Sequence, residues 1–228
     1  MPKISTADGH LVVLNLFTTD APEKQESLLN EMRKIVDSAT YEGWISSTVH
    51  AGVASPGTAN FIQWRSGEDL EKRYAGEEFK HRTLPVFGEI TTSIRLLQNE
   101  LAYTDSVDGV TEIHPDRNLF TAITVFGVEK ENQDALVQAL GPDGEFLKDV
   151  PGYRSHTVLR GLAARGLEGS FVVSYSQWDS AEAFGAYQAV AREDRPAARQ
   201  KAEALIGSLL TSVDANTYNV VHTRGAGE

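Results

Sequence analysis

Two short segments that each end in tryptophan carry the side chains best suited to chemistry. Residues 60–64 read Asn-Phe-Ile-Gln-Trp, and residues 174–178 give a weaker copy, Ser-Tyr-Ser-Gln-Trp. Alternate residues of a strand share a face, so we expect Asn60 and Trp64 to point to the same side. An amide and an indole on one face form a wall that can stack on an aromatic ring and donate hydrogen bonds.

A further amide interrupts the first apolar run of the chain. Asn15 lies within residues 11–17, which we interpret as a central strand. A buried amide requires hydrogen-bond partners, so its position favours a functional role. If the first and third strands are neighbours in the sheet, Asn15 lies beside Asn60. We therefore expect Asn15, Asn60 and Trp64 to line one cleft between the sheet and the helices.

The elements that position these residues occur twice along the chain. The first copy reads β-α-β-β-α-β, with a helix start at Asp20 and a second helix predicted over Glu68 to His81. Gly43-Trp44, at the start of its second strand, recurs as Gly152-Tyr153. The strands are predicted at residues 11–17, 44–50, 60–64, 91–103, 119–128, 171–178 and 212–222. An internal repeat of this size governs the interpretation of the whole chain.

Each copy matches the ferredoxin-like split βαβ unit, whose sheet carries both helices on one face and leaves the other face apolar. Two such units in one chain can cover each other, sheet against sheet. We predict an α+β fold with domains at residues 1–104 and 118–228, a polar linker at 105–117, and a packing like that of a dimeric α+β barrel. The chain would then be a homodimer fused into one polypeptide, and its further assembly is left open.

Composition excludes several classes of function. The chain has 228 residues, a formal net charge of −11 and no cysteine. The acidic balance argues against nucleic acid and anionic membrane surfaces as partners. The lack of cysteine excludes disulfides, thiolate metal sites and cysteine nucleophiles. No apolar run approaches the ~20 residues of a membrane span, and the N-terminus has no signal-peptide pattern. We expect a cytoplasmic protein.

The sequence resembles the antibiotic biosynthesis monooxygenase family, and within it the cofactor-independent anthrone oxygenases of aromatic polyketide pathways. Three features carry the resemblance: the segment from Gly43 to His50, the segment from Asn60 to Ser66, and Asn15 on the first strand. The resemblance implies that O2 oxidises an anthrone-type polyketide to a quinone, with no flavin or metal. It also implies catalytic roles for Asn15, Asn60 and Trp64.

Four further residues are predicted to contact the substrate. Phe17 and Tyr74 would contribute to an aromatic wall, and His50 and His81 would be within reach of the ring system. The two histidines are also candidate general bases because their side chains titrate near neutral pH. Water is the alternative acceptor for the substrate proton.

The second copy lacks both amides. Thr124 and Ser174 occupy the positions of Asn15 and Asn60, whereas Trp178 matches Trp64. We therefore interpret the second copy as a structural half and expect its cavity to be filled.

Two alternatives from other functional classes remain. A haem-degrading monooxygenase of the same superfamily would need an axial histidine on the second helix, close after the tryptophan. Here Tyr74 and His81 follow Trp64 at distances that do not suit that pattern. A non-catalytic polyketide-binding or cyclase-like module is the other alternative, because one fold serves many functions.

Overall fold

The computed structural model describes residues 2–228, apart from the side chains of Arg82, Glu145 and Phe146. The strands are β1 Lys3–Ile4, β2 Leu11–Thr18, β3 Trp44–Gly52, β4 Gly57–Trp64, β5 Ser93–Ser106, β6 Thr111–Glu112, β7 Phe120–Val128, β8 Tyr153–Arg165, β9 Ser170–Trp178 and β10 Leu210–Gly225. The α-helices are α1 Pro22–Ser38, α2 Gly67–Ala75, α3 Leu84–Ile90, α4 Gln133–Leu140, α5 Ala181–Ala189 and α6 Ala197–Leu209.

Eight of the strands form one closed antiparallel barrel in the order β10-β3-β4-β2-β5-β8-β9-β7. Within the first half β2 lies between β4 and β5, so the predicted adjacency of the first and third strands is confirmed. The two halves are joined at both edges, since β5 pairs with β8 and β10 pairs with β3. The predicted α+β barrel of two ferredoxin-like units is therefore confirmed, and closure leaves these eight strands without a free edge.

Alternation along the strands separates two apolar regions. On β2, Leu14 and Leu16 point into the barrel and join its interior core. Val13 and Phe17 point outward and pack beneath α1. Asn15 lies between these two on the outward face, which is the face covered by helices.

The second helix is shorter than predicted. α2 ends at Ala75 because Gly76 adopts an extended conformation, with φ −67° and ψ 144°. The chain then forms a π-helical turn at Phe79–Thr83 that runs directly into α3. The predicted single helix over Glu68 to His81 is wrong. Residues after Ala75 do not continue the side-chain pattern of α2.

The predicted linker has more structure than its polar composition indicated. β5 extends to Ser106, and β6 pairs with β1 to form a small separate sheet. Ile113, beyond β6, is fully buried in the barrel core. The segment is thus packed against the barrel, while the domain boundaries themselves stay a prediction. None of the helices in residues 2–228 is long and apolar enough to cross a membrane.

His50 lies inside the barrel and not in a substrate cleft, so the prediction that it contacts substrate is wrong. Its side chain points inward from β3, where Nδ1 lies 3.1 Å from the Thr48 carbonyl and 3.3 Å from the Ala59 carbonyl. Its Nε2 lies 2.9 Å from the Tyr175 hydroxyl of the other half. Because carbonyls only accept, Nδ1 carries the proton and Nε2 accepts from Tyr175. Burial lowers the pKa of His50 to about 4 and outweighs the opposing effect of the two carbonyls.

We expect His50 to make the fold sensitive to acid. The unfolded chain binds a proton near pH 6.5, whereas folded His50 does so only near pH 4, so its contribution is complete above pH 6.5 and is lost as the pH falls. Between pH 7.5 and pH 5, the proton equilibrium of His50 lowers the free energy of unfolding by about 2 kcal/mol.

Urea unfolding at both pH values measures this contribution. His50→Gln should be less stable at pH 7.5 but should lose about 2 kcal/mol less than the wild type at pH 5. His81→Gln, which removes an exposed ring, is the control. Equal losses in His50→Gln and the wild type would contradict the assignment.

Candidate active site

A cavity lies between the outer face of the first-half sheet and its helices. It holds about 690 Å³ of empty space, including its open mouth. Asn15, Asn60 and Trp64 all line it, and so do Phe17 and Tyr74. The predicted convergence of two amides and an indole in one compartment is therefore what the fold produces. Most of the remaining wall is aromatic or aliphatic, contributed by α1, α3 and the π-helical turn.

The two amides face each other across neighbouring strands. Asn15 of β2 and Asn60 of β4 are register partners in the antiparallel ladder. The Oδ1 atoms of both side chains are buried and have no hydrogen-bond partner among the described residues. A buried unpaired acceptor typically costs about 1–3 kcal/mol. Two of them side by side in a cavity indicate a site arranged for a ligand.

Trp64 offers the cavity an unused donor. It is 3% exposed, and its Nε1 has no hydrogen-bond partner within the described part of the chain. Trp44 also lines the cavity, but its Nε1 donates to Ser47 Oγ at 2.9 Å. Tyr41 stacks near Trp64, with ring centroids 6.4 Å apart and planes 23° apart. One of the two indole N–H groups is thus free to bind a ligand.

The turn after Trp64 fixes α2 relative to the sheet. Ser66 Oγ accepts from the backbone N–H of Asp69 and caps the helix, and the Asp69 carboxylate accepts from Arg65 Nε at 2.9 Å. Gly43 approaches from the adjoining turn with φ +75°, and a Cβ there would lie 2.3 Å from the Asp69 carboxylate. Only glycine fits this approach, so the start of α2 is held against the strand that carries Trp64.

This placement brings a cation to the cavity that sequence reasoning missed. Arg73 lines the wall, and its side chain is only 9% exposed. Its guanidinium lies 4.1 Å from the ring centroid of Tyr41 and 3.5 Å from a carboxylate oxygen of Glu78. Arg73 follows the buried Leu70 by three residues on α2, so both side chains lie on the same helix face. This spacing could have predicted from the sequence that Arg73 faces the cavity.

Tyr74 adds a second unused donor, a neutral hydroxyl. This hydroxyl has no partner among the side chains that the structure describes, and burial raises the pKa of Tyr74 to about 12. The group therefore stays protonated at neutral pH and can donate to a ligand oxygen.

His81 does not reach the cavity. Its side chain is 71% exposed and lies 3.1 Å from a carboxylate oxygen of Glu77. The structure therefore does not bring His81 to the wall where it was predicted to contact the substrate. No histidine is among the described residues that line the cavity.

The second half also has a cavity, so the expectation of a filled one is wrong. It holds about 740 Å³ of empty space, including its mouth, and is lined by Thr124, Ser174 and Trp178. Thr124 and Ser174 are register partners, like the two asparagines of the first half. Replacing two amides by smaller hydroxyl groups removes the amide donors but does not add the bulk needed to fill the space.

Comparison with known proteins places the chain in a family. The profile described as antibiotic biosynthesis monooxygenase matches residues 119–192, which lie in the second half. A crystal structure described as that of an anthrone oxidase-like protein is 63% identical, with a TM-score of 0.98, and the match covers 100% of this chain and 98% of the other. No curated protein matches the chain.

More distant structures share the fold. A predicted monooxygenase from Fusobacterium nucleatum has a TM-score of 0.66 at 9% identity, over 96% of this chain and 95% of its own. A predicted monooxygenase from Lactobacillus acidophilus has a TM-score of 0.61 at 10% identity, over 96% of this chain and 97% of its own. These two likenesses concern the fold, whereas the full-length match at 63% identity extends to the sequence. By that match and the family profile, the chain belongs to the antibiotic biosynthesis monooxygenase family.

Proposed function

We propose that the first-half cavity oxidises an anthrone-type aromatic polyketide to a quinone with O2, through the enolate of the substrate and without flavin or metal. The observation that carries the proposal is the convergence of unpaired polar atoms of Asn15, Asn60 and Trp64 in an otherwise apolar, aromatic cavity. The description of the 63% identical structure as an anthrone oxidase-like protein supports this substrate class.

The substrate supplies the electrons in this reaction. Loss of the benzylic proton gives an electron-rich enolate, which passes one electron to O2 to form superoxide and a carbon radical. Their recombination forms a carbon–oxygen bond, and the peroxide takes up a proton. Cleavage of its O–O bond with loss of the remaining benzylic hydrogen releases water and leaves the quinone carbonyl. One O2 is consumed and one water is formed for each quinone.

The cavity contributes binding and charge stabilisation. Trp64 and the other aromatic walls can stack on a flat polycycle. The unpaired Oδ1 atoms of Asn15 and Asn60 would accept from phenolic hydroxyls of the substrate. The N–H groups of the same amides would donate to the enolate oxygen or to the peroxide, where negative charge develops. The Arg73 guanidinium lies in the same wall and favours the anionic state through its charge.

Proton removal is assigned to solvent at the cavity mouth. His50 is enclosed in the barrel, and His81 lies on the surface away from the cavity lining. A phenol-flanked anthrone is acidic enough for water to accept its proton once the enolate is stabilised. The chain's part in this step is to lower the pKa of the bound substrate.

The residues that line the cavity do not favour the haem alternative. Haem-degrading relatives use an axial histidine, and the described lining residues include none. A non-catalytic binding module remains the competing function, since stacking walls and hydrogen-bond donors also suit a carrier. A turnover assay distinguishes the enzyme from the binding module.

Removing the amide or the indole donor should slow the reaction. With emodin anthrone, metal chelated and no flavin added, wild-type O2 uptake should exceed the autoxidation blank. Asn60→Ala should lower kcat by ~100-fold and Trp64→Phe by ~10-fold, because each removes a donor aimed at developing charge. An oxygen electrode measures the consumption of O2, and quinone absorbance measures the formation of the product.

Asn30→Ala provides the control, since it deletes an exposed amide on α1 that bonds only to a surface arginine in the described structure. Rates equal to the wild type in Asn60→Ala and Trp64→Phe, with folding intact, would favour the binding module.

Arg73 is expected to act on the ionisation of the substrate. Anaerobic titration of bound emodin anthrone should show enolate absorbance at a lower pH in the wild type than in Arg73→Leu, and kcat of Arg73→Leu should fall by ~10-fold or more. Arg73→Lys should restore part of both effects because it keeps the charge. Arg33→Leu, which removes a partly exposed guanidinium on α1 outside the cavity lining, is the control. If the pKa of the bound anthrone is the same in Arg73→Leu as in the wild type, Arg73 serves only to pack the cavity wall.

A further inference from the structure

The cavity of the second half has its own set of polar groups. We propose that it is a second binding site, for a neutral hydroxylated aromatic molecule held by His156 against the rings of Trp178 and Tyr187. This inference does not depend on the reaction proposed for the first half, because none of its residues belongs to the first cavity.

His156 is the group that points to a ligand. It lies on β8, lines the cavity and is only 6% exposed. The Leu140 carbonyl lies near its ring, yet neither ring nitrogen makes a hydrogen bond of ordinary geometry within the described residues. A buried donor and a buried acceptor without partners are costly, and a ligand hydroxyl in the cavity can satisfy whichever of the two ring nitrogens it meets.

The contrast with His50 makes this arrangement informative. Both histidines are buried, but His50 uses both ring nitrogens in bonds to Thr48, Ala59 and Tyr175. His50 is therefore complete without a ligand, whereas His156 is not.

The imidazole of His156 is neutral at physiological pH. Burial lowers its pKa to about 4, and the nearby Asp105 carboxylate only partly opposes this. A neutral ring offers one N–H donor and one acceptor nitrogen. A phenolic hydroxyl complements either nitrogen, as donor to one or acceptor from the other.

Aromatic rings in the same cavity lining offer a surface for a flat ring. Trp178 and Tyr187 have ring centroids 5.0 Å apart with planes 31° apart, and Phe184 lies 5.5 Å from Trp178. The Trp178 Nε1 already donates to Ser176 Oγ at 3.0 Å, unlike its free counterpart in the first half. In this cavity the indole would therefore stack on the ligand, and His156 would form the hydrogen bonds to it.

The charges around the cavity favour an uncharged ligand. Glu203 is the acidic residue of the described lining, and both of its oxygens are occupied, by Arg199 Nε at 2.7 Å and Arg195 at 2.7 Å. The hydrogen bonds from the two arginines lower the pKa of Glu203 despite the opposing effect of burial. The group stays ionised with both oxygens paired inside the protein, and it is the one charged residue of the described lining, so no free charge there calls for a charged ligand.

The site differs from the first in what it can do after binding. Thr124 and Ser174 replace the asparagine pair, so the amide donors that would stabilise an enolate are missing. The inference is accordingly one of binding without oxidation.

Histidine nitrogen resonances of the wild-type protein test the proposal directly. The probe is 1-naphthol, which has one free hydroxyl on a flat two-ring system and is not an anthrone. With ¹⁵N-histidine labelling, both ring signals of His156 should shift progressively with 1-naphthol, whereas those of His50 should stay in place. His156→Gln assigns the signals. Unmoved His156 signals up to the solubility limit of the probe would overturn the proposal.

A second measurement covers affinity. The indole N–H signal of Trp178 should also shift with 1-naphthol, and in His156→Leu the Kd read from that signal should rise about tenfold. Asn60→Ala, altered only in the first cavity, should leave this Kd unchanged. A Kd unaffected by His156→Leu would overturn the role of the imidazole, and if that variant fails to fold, the wild-type titration still decides.

Discussion

The direct antiparallel pairing of β2 with β4 is the constraint on which the first cavity depends. Their register sets Asn15 opposite Asn60, and the two-residue alternation then places Trp64 on the same outward face. A shift of β2 by one residue would turn Asn15 into the barrel, away from Asn60 and Trp64, and would bring an apolar neighbour to the cavity in its place. The interior packing of Leu14 and Phe61 opposes that shift, so the core that holds the sheet together also holds the site.

The helices complete what the strands begin. α1 and α3 cover the outward face, and α2, fixed by its cap and by the close approach of Gly43, brings Arg73 and Tyr74 to the same wall. The cavity thus gathers donors from strands and helix around an aromatic surface. Polar atoms of Asn15, Asn60, Trp64 and Tyr74 lack partners among the described residues, and this distinguishes the cavity from an ordinary packed interface.

Sequence reasoning recovered what periodicity and repeats encode. Seven of the ten described strands, α1, the doubled unit and the convergence of Asn15, Asn60 and Trp64 follow from such patterns, whereas β1, β6 and β8 were not predicted. It failed where the answer depended on contacts between elements.

The failures share this origin. The inward direction of His50 depends on which face of β3 meets the barrel interior, and the exposure of His81 depends on the break at Gly76. Arg73 was missed because a charged residue on a short helix is usually solvated. The second cavity was expected to be filled because the loss of two amides was read as loss of the site, although a smaller side chain leaves space and does not occupy it.

Barrel closure across the two halves has a consequence for how such a chain can change. When two identical subunits build a barrel of this kind, every substitution appears in both compartments at once. Here β5–β8 and β10–β3 join halves that are encoded separately. Selection can therefore retain amides at one position and install an imidazole near its counterpart, while each half continues to supply the strands that its neighbour needs to fold.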